Sequence, residues 1–260
     1  MPLTISELLA AELPIDNPEV AGLNGPFGLH GGLSAALLLR RMREHAPADR
    51  SLVALTARFL RPLGTRIAIG AEPVLNGSLV TVVDASASTD GKLGMQASAV
   101  FSAEQNPQTP VLAPEMPDGL PHWSSTEVLF ISPEFSPVAA HQEIRPALPN
   151  LPYSGADAPV LCAWIRLKGA DAATPEERLV TLADSVGPSF TAMLRQPKAN
   201  PTIEMSVQVS AAAQRTDVDR VLVRAETTSA DARGWVSESI EVWNDDGVHL
   251  ATARQVRVVR

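Results

Sequence analysis

Two adjacent glycines, Gly31 and Gly32, stand directly before the most apolar run of the chain, in "FGLHGGLSAALLLRRM" from Phe27 to Met42. Glycine at the start of a helix costs backbone entropy, so the position must need either the missing Cβ or an exposed backbone N–H. The first turn of a helix leaves its N–H groups without intrahelical partners, and the helix dipole adds positive potential at that end. Such a corner can receive an anion or the negative charge that develops on a reacting carbonyl, and residues without Cβ atoms let that group approach closely. His30 stands beside the pair and offers a further hydrogen bond. The same glycines would also serve close helix–sheet packing alone, and both readings stay open at this point.

The helix that follows has Leu33, Ala35, Ala36, Leu37, Leu38, Leu39 and Met42 on nearly every side and charge only at its end. A helix apolar all round must be enclosed. The strands to enclose it come next: "SLVALTARFLRPL", "TRIAIGAEPVL" and "SLVTVVDASAS" around an Asn76-Gly77 turn, then "LGMQASAVFSA" after Asp90-Gly91. Asn-Gly and Asp-Gly between alternating runs are hairpin signals. From about Glu104 to Pro159 the chain holds half of its 22 prolines, which predicts an extended connection with edge-like strands. The plan then repeats. Thr174 as N-cap, Pro175 at the first helical position and Glu177 closing a capping box open a second helix, which Gly187-Pro188 is expected to end. Four more strand patterns follow, with a turn at Asp245-Asp246-Gly247.

Helix then antiparallel strands, twice, predicts an α+β tandem (double) hotdog: two antiparallel sheets, each wrapped around a central helix. The expected division is 1–105 for the first hotdog, 106–135 for the proline-rich connection and 136–260 for the second.

Composition narrows the function classes. With 45% hydrophobic and 19% charged residues the chain is globular rather than disordered, and a net charge of −8 argues against nucleic acid or an anionic membrane as partner. The one cysteine, Cys162 in "LCAW", excludes a disulfide framework and reads as a buried, inert thiol. No His/Cys ligand spacing and no Gly-x-Ser-x-Gly elbow are present, so neither a metal site nor a serine triad is expected. The N-terminus lacks a basic region and reads as a short helix capped by Thr4 and Glu7, which predicts a cytoplasmic protein.

These stretches resemble the double-hotdog acyl-CoA thioesterases, the type II thioesterase family. The likeness rests on "FGLHGGLSAALLL", "ARFLRPL" and "LNGSLVTVVDASASTDGKLGMQASAVF" in the first half. In the second half it rests on "WIRLKG", "LVTLADSV", "TIEMSVQV" and "TTSADARGWVSESIEVWNDDGVHLATARQ", in the family's order and spacing over roughly residues 20 to 259. The resemblance implies hydrolysis of acyl-CoA to free acid and CoA, in a lipid-metabolic role and without a cofactor or metal. It also implies a homodimer or higher homo-oligomer. The catalytic set it implies is Asp184 in "TLADSV", Thr202 in "NPTIEM" and Gln255 in "TARQVRV". Asp184 would orient and deprotonate a water, with Thr202 and Gln255 fixing that water and holding Asp184. Gly31, Gly32 and His30 would then face the thioester oxygen.

An internal comparison restricts the chemistry to one half. With Pro62 opposite Ala212 the two helices and the strands that follow them are offset by 150 residues, placing Ser34 opposite Asp184 and Leu52 opposite Thr202, while the corresponding C-terminal strand has Ala99 opposite Gln255. One difficulty remains. Ile203, Met205, Val207 and Val209 share a strand face, which puts Thr202 on the polar face with Glu204, Ser206 and Gln208. Either the first residue of the strand turns, or that face lines a solvated cleft. Two rivals are a non-catalytic acyl-CoA-binding protein and a hotdog enoyl-CoA hydratase. The "IDNPEV" stretch approaches the hydratase loop but no histidine follows, so it reads as a turn.

Overall fold

The computed structural model describes residues 2–104 and 110–260. The chain opens with α1 (Ile5–Ala10), whose Thr4 and Glu7 form the expected capping box. Short strands β1 (Ile15–Asp16), β2 (Asn24–Gly25) and β3 (Gly28–Leu29) lead to α2 (Gly31–Arg43). Then come β4 (Arg50–Phe59), β5 (Arg66–Asn76), β6 (Val80–Thr89) and β7 (Lys92–Ala103). The second half holds β8 (Gln142–Pro146), β9 (Val160–Leu167), α3 (Pro175–Leu182), β10 (Thr202–Val209), β11 (Arg220–Ala230), β12 (Trp235–Asn244) and β13 (His249–Val258). No helix among the described residues is long and apolar enough to cross a membrane.

The sheet differs from the expectation of two. Among the described residues one antiparallel sheet of eleven strands runs β1-β5-β6-β7-β4-β10-β13-β12-β11-β9-β8, beside a small β2-β3 hairpin. The two halves join edge to edge through β4 and β10, because each of these strands ends its own half's series with unpaired N–H and C=O groups that the other satisfies. The 150-residue offset maps this junction onto itself. Ser206 pairs with Thr56, its own counterpart, and the Glu204–Arg58 pair maps onto Gln208–Ala54. A self-complementary seam of this kind is the signature of a two-fold contact, here between halves of one chain.

The correspondence extends inside each half, with a longer offset at the last strand. Met205 pairs with Gln255 in β10/β13, and Leu55 pairs with Ala99 in β4/β7, so Ala99 stands in Gln255's place. Both strand pairs carry a register shift at matching positions, between Thr202 and Glu204 and between Leu52 and Ala54.

α2 and α3 lie antiparallel to each other and pack against one face of this sheet. At one end Arg40 of α2 grips Glu177 with two hydrogen bonds of 2.7 Å, and Glu177 also closes the capping box of α3 with Thr174. At the other end Gly31 and Gly32 meet the C-terminal turn of α3. Leu33, Leu37, Leu38 and Leu39 are at most 1% exposed, and burying each contributes roughly 1.5–3 kcal/mol. α3 stops at Leu182, earlier than the Gly187-Pro188 stop expected, so Asp184 lies in the turn after the helix rather than within it.

The proline-rich connection packs on the opposite side of the sheet. Among its described residues the one edge strand is β8, and the segment before it delivers Trp123 against Trp164, Trp243, Leu222 and Cys162. Proline carbonyls anchor two of the indoles: Trp164 Nε1 donates to Pro121 O at 2.8 Å and Trp243 Nε1 to Pro114 O at 2.9 Å. The expected 105/106 boundary lies outside the described residues. Burial in this cluster pushes the Cys162 thiol up to about 12, as the inert reading requires. The native protein should therefore not react with Ellman's reagent at pH 8, and one thiol per chain should appear only after denaturation.

Candidate active site

Asp184, Thr202 and Gln255 come from three elements and converge at the α2/α3 junction. Asp184 sits in the turn closing α3, with its N–H donating to Thr181 O at 3.2 Å. Gln255 lies mid-strand in β13, 1% exposed, and its Nε2 donates to Asp184 Oδ1 at 3.0 Å. Thr202 opens β10, and its hydroxyl lies 3.2 Å from Gln255 Oε1. The amide can face only one way: Nε2 must meet the carboxylate, so Oε1 faces Thr202 and the threonine must donate.

The strand-face difficulty is resolved by the register shift. Without it Thr202 would point away from Met205 and Gln255. The extra residue between Thr202 and Glu204 turns Thr202 to the Gln255 side, opposite Arg257, as bulges do when they re-aim a side chain. In the first half the matching shift turns Leu52 inward beside Phe101, where it is 3% exposed.

The glycine pair serves Asp184 directly. Gly32 N–H donates to Asp184 Oδ2 at 2.9 Å, placing the carboxylate on the positive end of α2. Its donor is thus already engaged, which differs from the expectation that it faces substrate. Among the described residues no backbone carbonyl takes the Gly31 N–H. The close packing the pair serves is on α3 at Gly32 and on both Asp184 and the β4 residue Phe59 at Gly31, where an added Cβ would lie 3.3 Å from Phe59 Cε1. A Cβ on Gly32 would lie 2.6 Å from Thr181 O, and one on Gly31 would lie 2.6 Å from Asp184 Oδ2.

His30 caps α2. Its Nδ1 accepts from Leu33 N–H at 3.3 Å, so the proton resides on Nε2, which donates to the Asp184 carbonyl at 3.0 Å. Both ring nitrogens are used in holding the junction. Asn17 of the "IDNPEV" stretch caps the 3₁₀ turn Pro18–Leu23, accepting from Glu19 N–H at 2.9 Å, which accounts for that motif as a turn.

Two residues escaped the sequence reading. Arg257 Nη2 lies 3.6 Å from Asp184 Oδ1, and its Nε donates to Glu238 Oε2. Both side chains are buried. The available signal was the period of two in "ARQVRVV", which puts Arg257 on the face of Gln255.

The long antiparallel sheet packed on a buried apolar helix is the arrangement of a hotdog-fold protein. A hot-dog-fold protein of unknown function from Alicyclobacillus acidocaldarius superimposes with a TM-score of 0.81 at 24% identity, covering 92% of this chain and 90% of that one. The acyl-CoA thioesterase II of Mycobacterium marinum superimposes with a TM-score of 0.72 at 16% identity, covering 98% of each chain. The tesB protein of Mycobacterium avium subsp. paratuberculosis does so at 0.70 and 19%, covering 89% of this chain and 87% of that one. A search of curated proteins gave no match. The acyl-CoA thioesterase N-terminal domain model matches residues 22–102, and the C-terminal domain model matches residues 107–259. The chain belongs to the acyl-CoA thioesterase family and, by that membership, is a thioester hydrolase.

Proposed function

We propose that the chain is a tandem hotdog that hydrolyses acyl-CoA by direct attack of water, with Asp184 as general base. The observation that carries this reading is the unbroken chain of hydrogen bonds Thr202–Gln255–Asp184–Gly32. Every donor direction in it is set. Asp184 keeps lone pairs free on both oxygens, and Thr202 Oγ1, having given its proton to Gln255, can only accept. A water that donates one hydrogen to Asp184 and the other to Thr202 is left with a lone pair aimed outward, toward a thioester carbon.

Gln255 then acts by fixing both partners rather than by holding the water itself. As the water oxygen bonds to the carbonyl carbon, its proton passes to Asp184 and the carbonyl oxygen becomes an oxyanion beside the Gly31 N–H. Collapse expels the CoA thiolate, which recovers the proton. His30 and Gly32 hold Asp184 from behind. No covalent intermediate and no metal enter this sequence.

The first half lacks this constellation, since Ser34, Leu52 and Ala99 occupy the equivalent places, so one site per chain is expected. Release of CoA thiol from acyl-CoA substrates tests the activity. Thr202→Val removes the acceptor for the second water hydrogen and leaves Gln255 Oε1 without its donor. It should lower kcat roughly ten- to a hundredfold, as expected for a misplaced reactant, with a thermal midpoint lowered by no more than the roughly 2–10 °C that one unpaired buried acceptor costs. Turnover of the variant at the wild-type rate would exclude Thr202 from the site.

A further inference from the structure

We propose that Arg257, held in place by Glu238, is a positioning residue for Asp184, and that this buried ion pair is present for the reaction rather than for the fold. The inference rests on the reading of Asp184 as the base. Arg257 is 6% exposed and Glu238 2% exposed, and burying two charges is costly unless each is compensated. Glu238 is compensated on every side: Arg257 Nε meets Oε2, while the Ser189 N–H and hydroxyl both reach Oε1, the hydroxyl at 2.7 Å. Ser189 is itself fixed by Thr227, 2.8 Å away. Glu238 thus anchors the Nε side of the guanidinium. The Nη2 side is left to face Asp184 Oδ1, the oxygen that also receives Gln255.

The first half shows what the fold itself requires at these places. Register puts Phe101 in the position of Arg257, since Leu52 pairs with Phe101 as Thr202 pairs with Arg257. It puts Val83 in the position of Glu238, since Val83 pairs with Ala99 as Glu238 pairs with Gln255. Both Phe101 and Val83 are fully buried. The same sheet positions are therefore filled by two apolar side chains in the half without an aspartate, and by an anchored cation in the half with one. Gly32 N–H bonds Oδ2 and the Gln255 amide bonds Oδ1, so the carboxylate plane is held from both ends, and the Arg257 cation 3.6 Å from Oδ1 adds electrostatic attraction at that end. A small rotation of that plane would move the base off the water.

The test transplants the first-half pair into the second. The double variant E238V/R257F should fold, with kcat for thiol release lowered roughly ten- to a hundredfold and KM within about twofold of wild type. Arg257→Lys serves as the second variant, because a single ammonium drawn onto Glu238 cannot also face Asp184. It should keep the wild-type thermal midpoint and lose roughly three- to tenfold in kcat. Wild-type kcat in either variant, or a loss confined to KM, overturns the proposal. Asp184→Asn is assayed alongside. If it retains turnover, the reading of the base has failed. If it is inactive while E238V/R257F turns over normally, only the role of the ion pair has failed.

Discussion

Replacing Asp184 with asparagine should lower kcat for CoA release by roughly 10²- to 10⁴-fold, the usual contribution of a positioned general base. The substitution keeps the size and planarity of the group and removes its charge and its capacity to take a proton. Its structural cost is limited and can be stated. Asp184 accepts from Gly32 N–H at one oxygen and from Gln255 Nε2 at the other, and an amide can answer only one of these donors with its single oxygen. One hydrogen bond is lost, which costs about 1–3 kcal/mol and lowers the thermal midpoint by about 2–10 °C in a chain of this length. Arg257 keeps Glu238 as its partner, so no buried charge is stranded. A folded, substrate-binding, inactive protein is the expected outcome. Retention of more than a tenth of wild-type kcat would place the base elsewhere. A folded variant without turnover also separates hydrolysis from acyl-CoA binding alone.

The sequence carried the local structure well because local structure has local causes. Both capping boxes, the Asp90-Gly91 turn with positive φ at each residue, and the enclosure of α2 all follow from residues within a turn or two of each other. The seam between β4 and β10 had no such signal. Which edges pair depends on strands about 150 residues apart, and hydrophobic alternation says nothing about a partner at that distance. Thr202 was read onto the polar face for a related reason. A count of two is right along β10 from Glu204 onward and fails at the one inserted residue, which no glycine marks within the strand. Arg257 and Glu238 escaped because charged residues in strands ordinarily face solvent. Only the pairing of β12 with β13 shows that both point inward at Asp184's level.

Gly32→Ala should be strongly damaging, against the ordinary trend for helices. In an exposed helix the change would be favourable by about 0.8–1 kcal/mol through propensity. Here the new Cβ would lie 2.6 Å from Thr181 O, 2.9 Å from Thr181 Cα and 3.0 Å from Asp184 Cβ. Two of these atoms are backbone and cannot rotate away, so α2 and α3 must separate at this end while Arg40 and Glu177 still clamp the other. Overpacking of this kind costs about 1–3 kcal/mol. The same separation stretches the Gly32 N–H bond to a carboxylate, which is charge-assisted and contributes about 1.5–3 kcal/mol. The unfavourable effects win by about 1.5–5 kcal/mol, a fall of roughly 3–20 °C in thermal midpoint, and kcat falls with it because Asp184 is displaced. Gly31→Ala should shift the balance between the two effects. Its Cβ meets the Asp184 carboxylate at 2.6 Å and Phe59 Cε1 at 3.3 Å, side-chain atoms rather than backbone, so the helices need not separate. Displacing the carboxylate still strains its bonds to Gly32 and Gln255, and turnover should be lost with a smaller fall in stability than in Gly32→Ala. Gly70→Ala is the control: it is exposed in β5 with nothing within 4 Å of the added carbon, and neither stability nor turnover should fall. A Gly32→Ala protein as stable and as active as Gly70→Ala would show that α2 and α3 need no close approach at the site.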